Sequence, residues 1–206
     1  MQLFPDYWPE ACKALSASDP TMGEIIARYE GEFLQGRGDA FFTLCRAIVG
    51  QQISVKAADA IWARLEAHVQ PFEPEAMQEA DHEALRGLGL SRQKVAYLNA
   101  IADHFMAHNI AHGYWSDMSD EEAIKDLTSI KGIGRWTAEM FLIFHLLRAD
   151  VFPIDDIGLQ KGILTHYSPD YSRADMKQLA ADKWAPWRSV ATWYLWRSLD
   201  PVPVEY

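Results

Sequence analysis

The sequence predicts an all-α fold, and three observations carry that expectation. No stretch of the 206 residues alternates apolar and polar positions as a half-buried strand does. Apolar residues instead recur at helical spacing in one segment after another. Serines stand where several of those segments begin, and glycines where some of them end. Connections are short, and no low-complexity segment interrupts them.

The elements follow in order. "DAFFTLCRAIVGQQ" and "SVKAADAIWARLEAHV" read as consecutive helices broken near Gly50 to Ile53, with Ser54 as N-cap of the second. "DHEALRGLGL" is a short helix ending at glycine. "SRQKVAYLNAIADHFMAHNI" is a long one capped by Ser91. "SDEEAIKDLTSI" opens on Ser119 with acids in its first turn, which suits the positive end of a helix dipole. A glycine turn, an apolar helix and a loop with two aspartates come next. Two further helices, "SRADMKQLAADKW" and "WRSVATWYLWRSL", close the chain. One domain over residues 1–206 is expected, in two helical lobes. Residues 1–52 with 172–206 would form one lobe and 53–171 the other.

Composition bounds the function. About half of the residues are apolar and 23% are charged, as in a folded soluble protein. No apolar run reaches the roughly 18 residues of a membrane span, and the N-terminus lacks the basic-then-apolar pattern of a secretory signal. Two cysteines, Cys12 and Cys45, are too few for a four-cysteine iron–sulfur cluster. The expected setting is cytoplasmic, beside the nucleoid in a bacterium, or nuclear in a eukaryote. The formal charge of −10 argues against a nucleic-acid partner, which usually leaves a basic footprint. A net charge is a whole-molecule sum, however, and local backbone N–H groups can still hold a phosphate.

"LTSIKGIGRWTAEMF" carries the chemistry. It places a short helix, a turn with Gly132 and Gly134, and a second helix starting near Arg135. Glycines allow close backbone approach to a partner. The first N–H groups of the following helix lack internal acceptors and suit a phosphate. An ordinary helix–helix turn would carry the same glycines. The wider context favours the phosphate reading. "GIGRWTA", a buried helix and "VFPIDD" together resemble the helix–hairpin–helix and Gly/Pro-Asp loop of the HhH-GPD DNA glycosylase superfamily. "FFTLCRAIVGQQISVKAADAIWARL" and "LRGLGLSRQKVAYL" resemble its earlier core helices. "WAPWRSVATWYLW" looks like the closing segment of its 3-methyladenine DNA glycosylase II branch, in the compact form without an N-terminal β-rich domain.

The resemblance implies a set of roles. An active-site cleft would lie between the lobes, with double-stranded DNA containing alkylated bases as partner and a monomer as the working form. Asp156 matches the catalytic carboxylate, with Asp155 as its neighbour; read from the residues alone, either aspartate could simply N-cap the helix "IGLQKGIL", Asp155 being the expected cap of the two. Gly132, Gly134, Arg135 and Thr137 would meet the DNA backbone, with Lys131 and Lys161 adding local positive charge. Gln51 and Gln52 fall in the loop that carries the family's wedge, and Gln52 matches the wedge position; a glutamine here could also simply cap a helix end. Trp136 stands where strand-cleaving members carry a Schiff-base lysine, so a monofunctional enzyme is expected. Trp196 matches a pocket aromatic that would stack on a cationic alkylated base, although "WYLW" also has core spacing. Met140, one turn after Trp136, would face the same pocket. No cofactor is expected beyond a structural Na+ or K+ on the backbone carbonyls of Thr128, Ile130 and Ile133. His104, His108 and His112 recur every four residues but lack the acidic companion of a zinc motif, and are read as a solvated face. The competing reading is a non-catalytic helix–hairpin–helix DNA-binding protein, which would need neither Asp156 nor the two tryptophans.

Overall fold

The serines do cap. In the computed structural model, which describes residues 4–36 and 38–199, the hydroxyls of Ser54, Ser91, Ser119 and Ser172 accept N–H groups of Ala57, Lys94, Glu122 and Asp175 respectively. Ser119 and Ser172 complete reciprocal capping boxes, in which the acid three residues on accepts the cap's own N–H. These caps open α4 (Val55–His68), α7 (Arg92–His108), α8 (Asp120–Ser129) and α11 (Arg173–Leu179). The other helices are α1 (Trp8–Ser18), α2 (Pro20–Arg28), α3 (Ala40–Gly50), α5 (Pro74–Glu79), α6 (His82–Gly87), α9 (Arg135–Phe144), α10 (Ile157–His166) and α12 (Arg188–Leu199). Among the described residues no β-strand forms, as the sequence predicts. "SRADMKQLAADKW" is not one α-helix: α11 gives way to a π-helical turn, Ala180–Trp184. Among the described residues no helix is long and apolar enough to cross a membrane.

The chain divides into two compact units, one of Met1–Gly38 with Leu142–Tyr206 and one of Asp39–Phe141. The expected lobe boundaries near residues 52 and 172 therefore move. α3 belongs with the middle helices because it packs on α4 and α7, and α10 belongs with the terminal ones because it packs on α12. The second division falls inside α9, which runs out of the middle unit after Phe141.

Each unit has its own aromatic core. In the middle unit Phe41, Phe105, Trp115 and Phe141 form a chain of rings with centroids 5.1–5.9 Å apart. In the terminal unit Trp8 meets Trp193 edge-on at 5.3 Å. Beside it the buried Asp19 accepts from Met22 N–H, Tyr167 Oη–H and Trp184 Nε1–H. Hydrogen bonds of this kind offset the cost of burying a polar side chain in a core. Asp19 thus ties together the start of α2, the end of α10 and the π-helical turn.

Candidate active site and DNA-contact elements

The hairpin lies in the middle unit. α8 ends at Ile130, whose carbonyl accepts the N–H of Ile133 at 3.1 Å, closing a tight turn over Lys131 and Gly132. Gly132 has φ +99°, and a Cβ there would stand 2.4 Å from the ring of Tyr97 on α7. Backbone geometry and packing both require glycine at this position. Gly134 differs. It is exposed, a Cβ there would meet nothing within 4 Å, and its carbonyl starts α9 by accepting Ala138 N–H at 3.0 Å. The protein itself gives no steric reason for Gly134.

The first-turn N–H groups of α9 lack acceptors within the helix by position. Around them Lys131, Arg135 and Trp136 are exposed. Thr137, expected among the DNA contacts, has a buried side chain and has only its backbone N–H to offer at the helix start. Met140 is also buried, while Trp136, one turn earlier, is 36% exposed. Arg135 is ion-paired on both sides. Its guanidinium meets Glu121 through two nitrogens and Glu139 through Nε at 3.0 Å, and the Glu121 hydrogen bond foremost pushes its pKa up. For a monovalent cation, the donors would be carbonyls at the end of α8 and in the turn. Thr128 lies in the last helical turn, where carbonyls lack intrahelical donors, and Ile130 keeps a second lone pair beyond the Ile133 bond. A hard cation suits that donor set.

The loop after α3 belongs to the same unit. Gln51 closes α3 and donates its side-chain amide to the carbonyl of Gly132 at 3.2 Å. Gln52 is exposed with φ +59°, a left-handed conformation uncommon for a side chain of this kind. Ile53 and Val55 beside it are exposed, Val55 to 76%. Lys94 Nζ donates to the carbonyl of Val49 at 2.7 Å, at the end of α3, and partial burial lowers its pKa.

The aspartate loop lies in the terminal unit. Asp156 N–H donates to Pro153 O at 2.9 Å, which folds the loop into a turn before α10. Asp156 is then the N-cap of α10, with Oδ1 accepting Leu159 N–H at 2.6 Å. The expectation that Asp155 is the cap is corrected. A cap must reach the N–H two or three residues on, and Asp155 instead pairs with Arg173 with its side chain 60% exposed. Asp156 is buried to 7% exposure, and its Oδ1 also accepts Trp196 Nε1–H at 2.7 Å. Trp196 itself is buried and lies parallel to Phe144, with ring centroids 5.9 Å apart. The result is a carboxyl group set at the positive end of a helix, with Leu159 N–H and Trp196 Nε1–H both directed at Oδ1. Ile157, the next residue, is 80% exposed. Lys161 is exposed on α10.

The three histidines differ in their surroundings. His104 contacts Asp126, which also accepts Trp115 Nε1–H at 2.7 Å, while His108 and His112 are exposed. Among the described residues no group of three or more His, Cys, Asp or Glu side chains could hold a metal. Both cysteines are free, and burial pushes their thiols up.

Sequence reasoning missed Tyr97, Phe144 and Gly158, whose parts appear only when separate elements meet, and Glu139, which the i,i+4 spacing from Arg135 could have signalled. The glycine spacing Gly158-x-x-x-Gly162 is a second local signal.

Comparison with known proteins agrees with this geometry. Residues 45–188 match the HhH-GPD superfamily base excision DNA repair protein family. DNA-3-methyladenine glycosylase 1 of Schizosaccharomyces pombe is 34% identical over 180 residues, covering 85% of this chain and 79% of the relative. The crystal structure of a DNA-3-methyladenine glycosidase from Bacillus halodurans superposes with a TM-score of 0.84 at 32% identity, over 98% of this chain and 93% of that one. A Schizosaccharomyces pombe 3-methyladenine DNA glycosylase in complex with abasic DNA superposes with a TM-score of 0.80 at 31% identity, over 96% and 100%. With its hairpin, its aspartate loop and these likenesses, the chain belongs to the HhH-GPD superfamily of base excision DNA repair proteins, in which it is similar to proteins named as 3-methyladenine glycosylases.

Proposed function

We propose that the chain is a monofunctional DNA glycosylase that excises alkylated purines of the 3-methyladenine and 7-methylguanine type from duplex DNA, working as a monomer. The observation that carries this reading is Asp156, a buried carboxylate held at a helix N-terminus by Leu159 N–H and Trp196 Nε1–H. Breaking an N-glycosidic bond builds oxocarbenium character on the sugar, and a fixed carboxylate near the anomeric carbon stabilises that charge and positions water. An N-alkylated purine is cationic and leaves readily, so the enzyme needs little acid assistance at the base. The nucleotide must be flipped out of the stack to reach a buried carboxylate, with Gln52 filling the gap it leaves. The hairpin N–H groups and Arg135 hold phosphates without reading sequence. Thr128, Ile130 and Ile133 would hold a monovalent cation through their carbonyls, supplying positive charge beside a phosphate. The relatives named above support the base class, and the one bound to abasic DNA supports the product.

The test is chromatography of bases released from methylated duplex DNA. The expected result is free 3-methyladenine and 7-methylguanine from the wild-type protein and none from Asp156→Asn. Release by Asp156→Asn at the wild-type rate would overturn the mechanism.

A further inference from the structure

We propose that Gly158, Gly162 and Trp196 act as one positioning device for the Asp156 carboxylate. This rests on Asp156 being the catalytic group and gives Trp196 a role other than base stacking. Gly158 and Gly162 are one turn apart on α10, the helix that packs on α12. A Cβ at Gly162 would lie 3.0 Å from Leu195 Cβ and 3.4 Å from Leu195 O. A Cβ at Gly158 would lie 3.2 and 3.3 Å from Trp196 Cδ1 and Nε1, and 3.1 Å from Asp156 Oδ1. The two missing side chains therefore give room to consecutive residues of α12, Leu195 and Trp196.

That close approach is what brings the indole N–H to Asp156. Trp196 is 3% exposed, and Phe144 lies parallel to its ring, so a second aromatic ring also constrains the indole plane. Both donors, Leu159 N–H and Trp196 Nε1–H, converge on the same oxygen, Oδ1. Holding one oxygen from two directions sets the rotation of the carboxylate, and so the direction of its second oxygen. A methyl at Gly158 would press on the acceptor and the donor at once. Trp196 and Gly158 touch the carboxylate rather than the sugar, so they are positioning residues.

Single-turnover excision separates this role from plain packing. Trp196→Phe keeps an aromatic ring against Phe144 and removes only the donor and part of the indole. The expected single-turnover rate falls roughly 10- to 100-fold, the scale of a lost hydrogen bond to a charged group. Affinity for duplex carrying a tetrahydrofuran abasic analogue should change by less than about threefold, because the loss is of transition-state and not ground-state contacts. Gly158→Ala should show the same split. In 1H–15N spectra the indole resonance that Trp196→Phe removes should shift in both Asp156→Asn and Gly158→Ala, a signature that needs no turnover. Wild-type excision by Trp196→Phe alongside an inactive Asp156→Asn would overturn the positioning role and leave the catalytic assignment standing. An indole resonance indifferent to Asp156→Asn would overturn it as well. Full activity of Asp156→Asn would remove the catalytic assignment and the inference together.

Discussion

The side-chain amide of Gln51 donates to the carbonyl oxygen of Gly132 at 3.2 Å, across 81 residues of sequence. Two elements expected to meet DNA, the loop after α3 and the hairpin turn, are thereby joined within one unit. Gln51 is half-buried and used internally, whereas its neighbour Gln52 is exposed in a left-handed conformation. Gln51→Met should cost about 1 kcal/mol in denaturant unfolding, the usual net worth of such a bond. Gln52→Ala should stay within about 0.5 kcal/mol of wild type, as at most surface sites, yet slow excision if the side chain fills the gap in the stack. Equal stability losses for the two variants would refute this division of labour.

The two hairpin glycines should separate in the same way. Gly132→Ala must place a Cβ in the left-handed region and against Tyr97, so it should lose at least about 2 kcal/mol of stability. Gly134→Ala meets no protein atom and should leave the melting temperature close to wild type. It should nonetheless weaken binding to damaged and undamaged duplex alike, because phosphate contacts carry no base information. Unchanged duplex binding by Gly134→Ala would argue that the hairpin does not grip the backbone.

What was legible in the sequence is what is local. Ser54, Ser91, Ser119 and Ser172 each cap the helix predicted, because a cap needs only the N–H two or three residues away. The hairpin and the aspartate loop were legible because their glycine and carboxylate spacings are also short-range. The division of the chain was misplaced, since α3 joins the middle unit through packing on α7, which no local pattern records. The choice between Asp155 and Asp156 as cap turned on one residue of register and on Arg173, far along the chain. Trp196 was read as a pocket face from its position, but its N–H partner becomes visible only when α12 lies on α10.

Asp156→Asn should preserve the fold while stopping the chemistry. Asparagine caps helices about as well as aspartate and keeps an oxygen for Trp196 Nε1–H. Base release should fall at least about a hundredfold, the scale of removing one preorganised charge contact from a transition state. Asp155→Asn breaks an exposed pair with Arg173, worth about 0–1 kcal/mol, and should turn over normally. Inactivity of Asp155→Asn with activity in Asp156→Asn would reverse the assignment.

Acidic partners at the hairpin predict an unusual salt response. Glu121 holds Arg135 through two hydrogen bonds, so a phosphate must compete with a carboxylate for the guanidinium. Glu121→Gln should release that competition and tighten binding to undamaged duplex. The slope of log affinity against log salt should steepen by up to about one, the signature of one added phosphate contact. A slope and affinity equal to wild type would mean that Arg135 does not reach the DNA.

The product follows from Trp136. It stands in the exposed first turn of α9, where strand-cleaving relatives would carry an amine, and an indole cannot form a Schiff base with the sugar. Of the lysines in the middle unit, Lys131 sits in the turn itself, and Lys94 is engaged with the carbonyl of Val49. Base excision should therefore leave an intact abasic strand. Breaks should appear only after alkali or an added abasic endonuclease, and borohydride should trap no covalent adduct during turnover. Trp136→Lys supplies the missing amine and gives the comparison its positive arm, an adduct trapped with the variant alone. An adduct trapped with the wild-type protein would demand an amine nucleophile, and Lys131→Ala would then show whether the turn provides it.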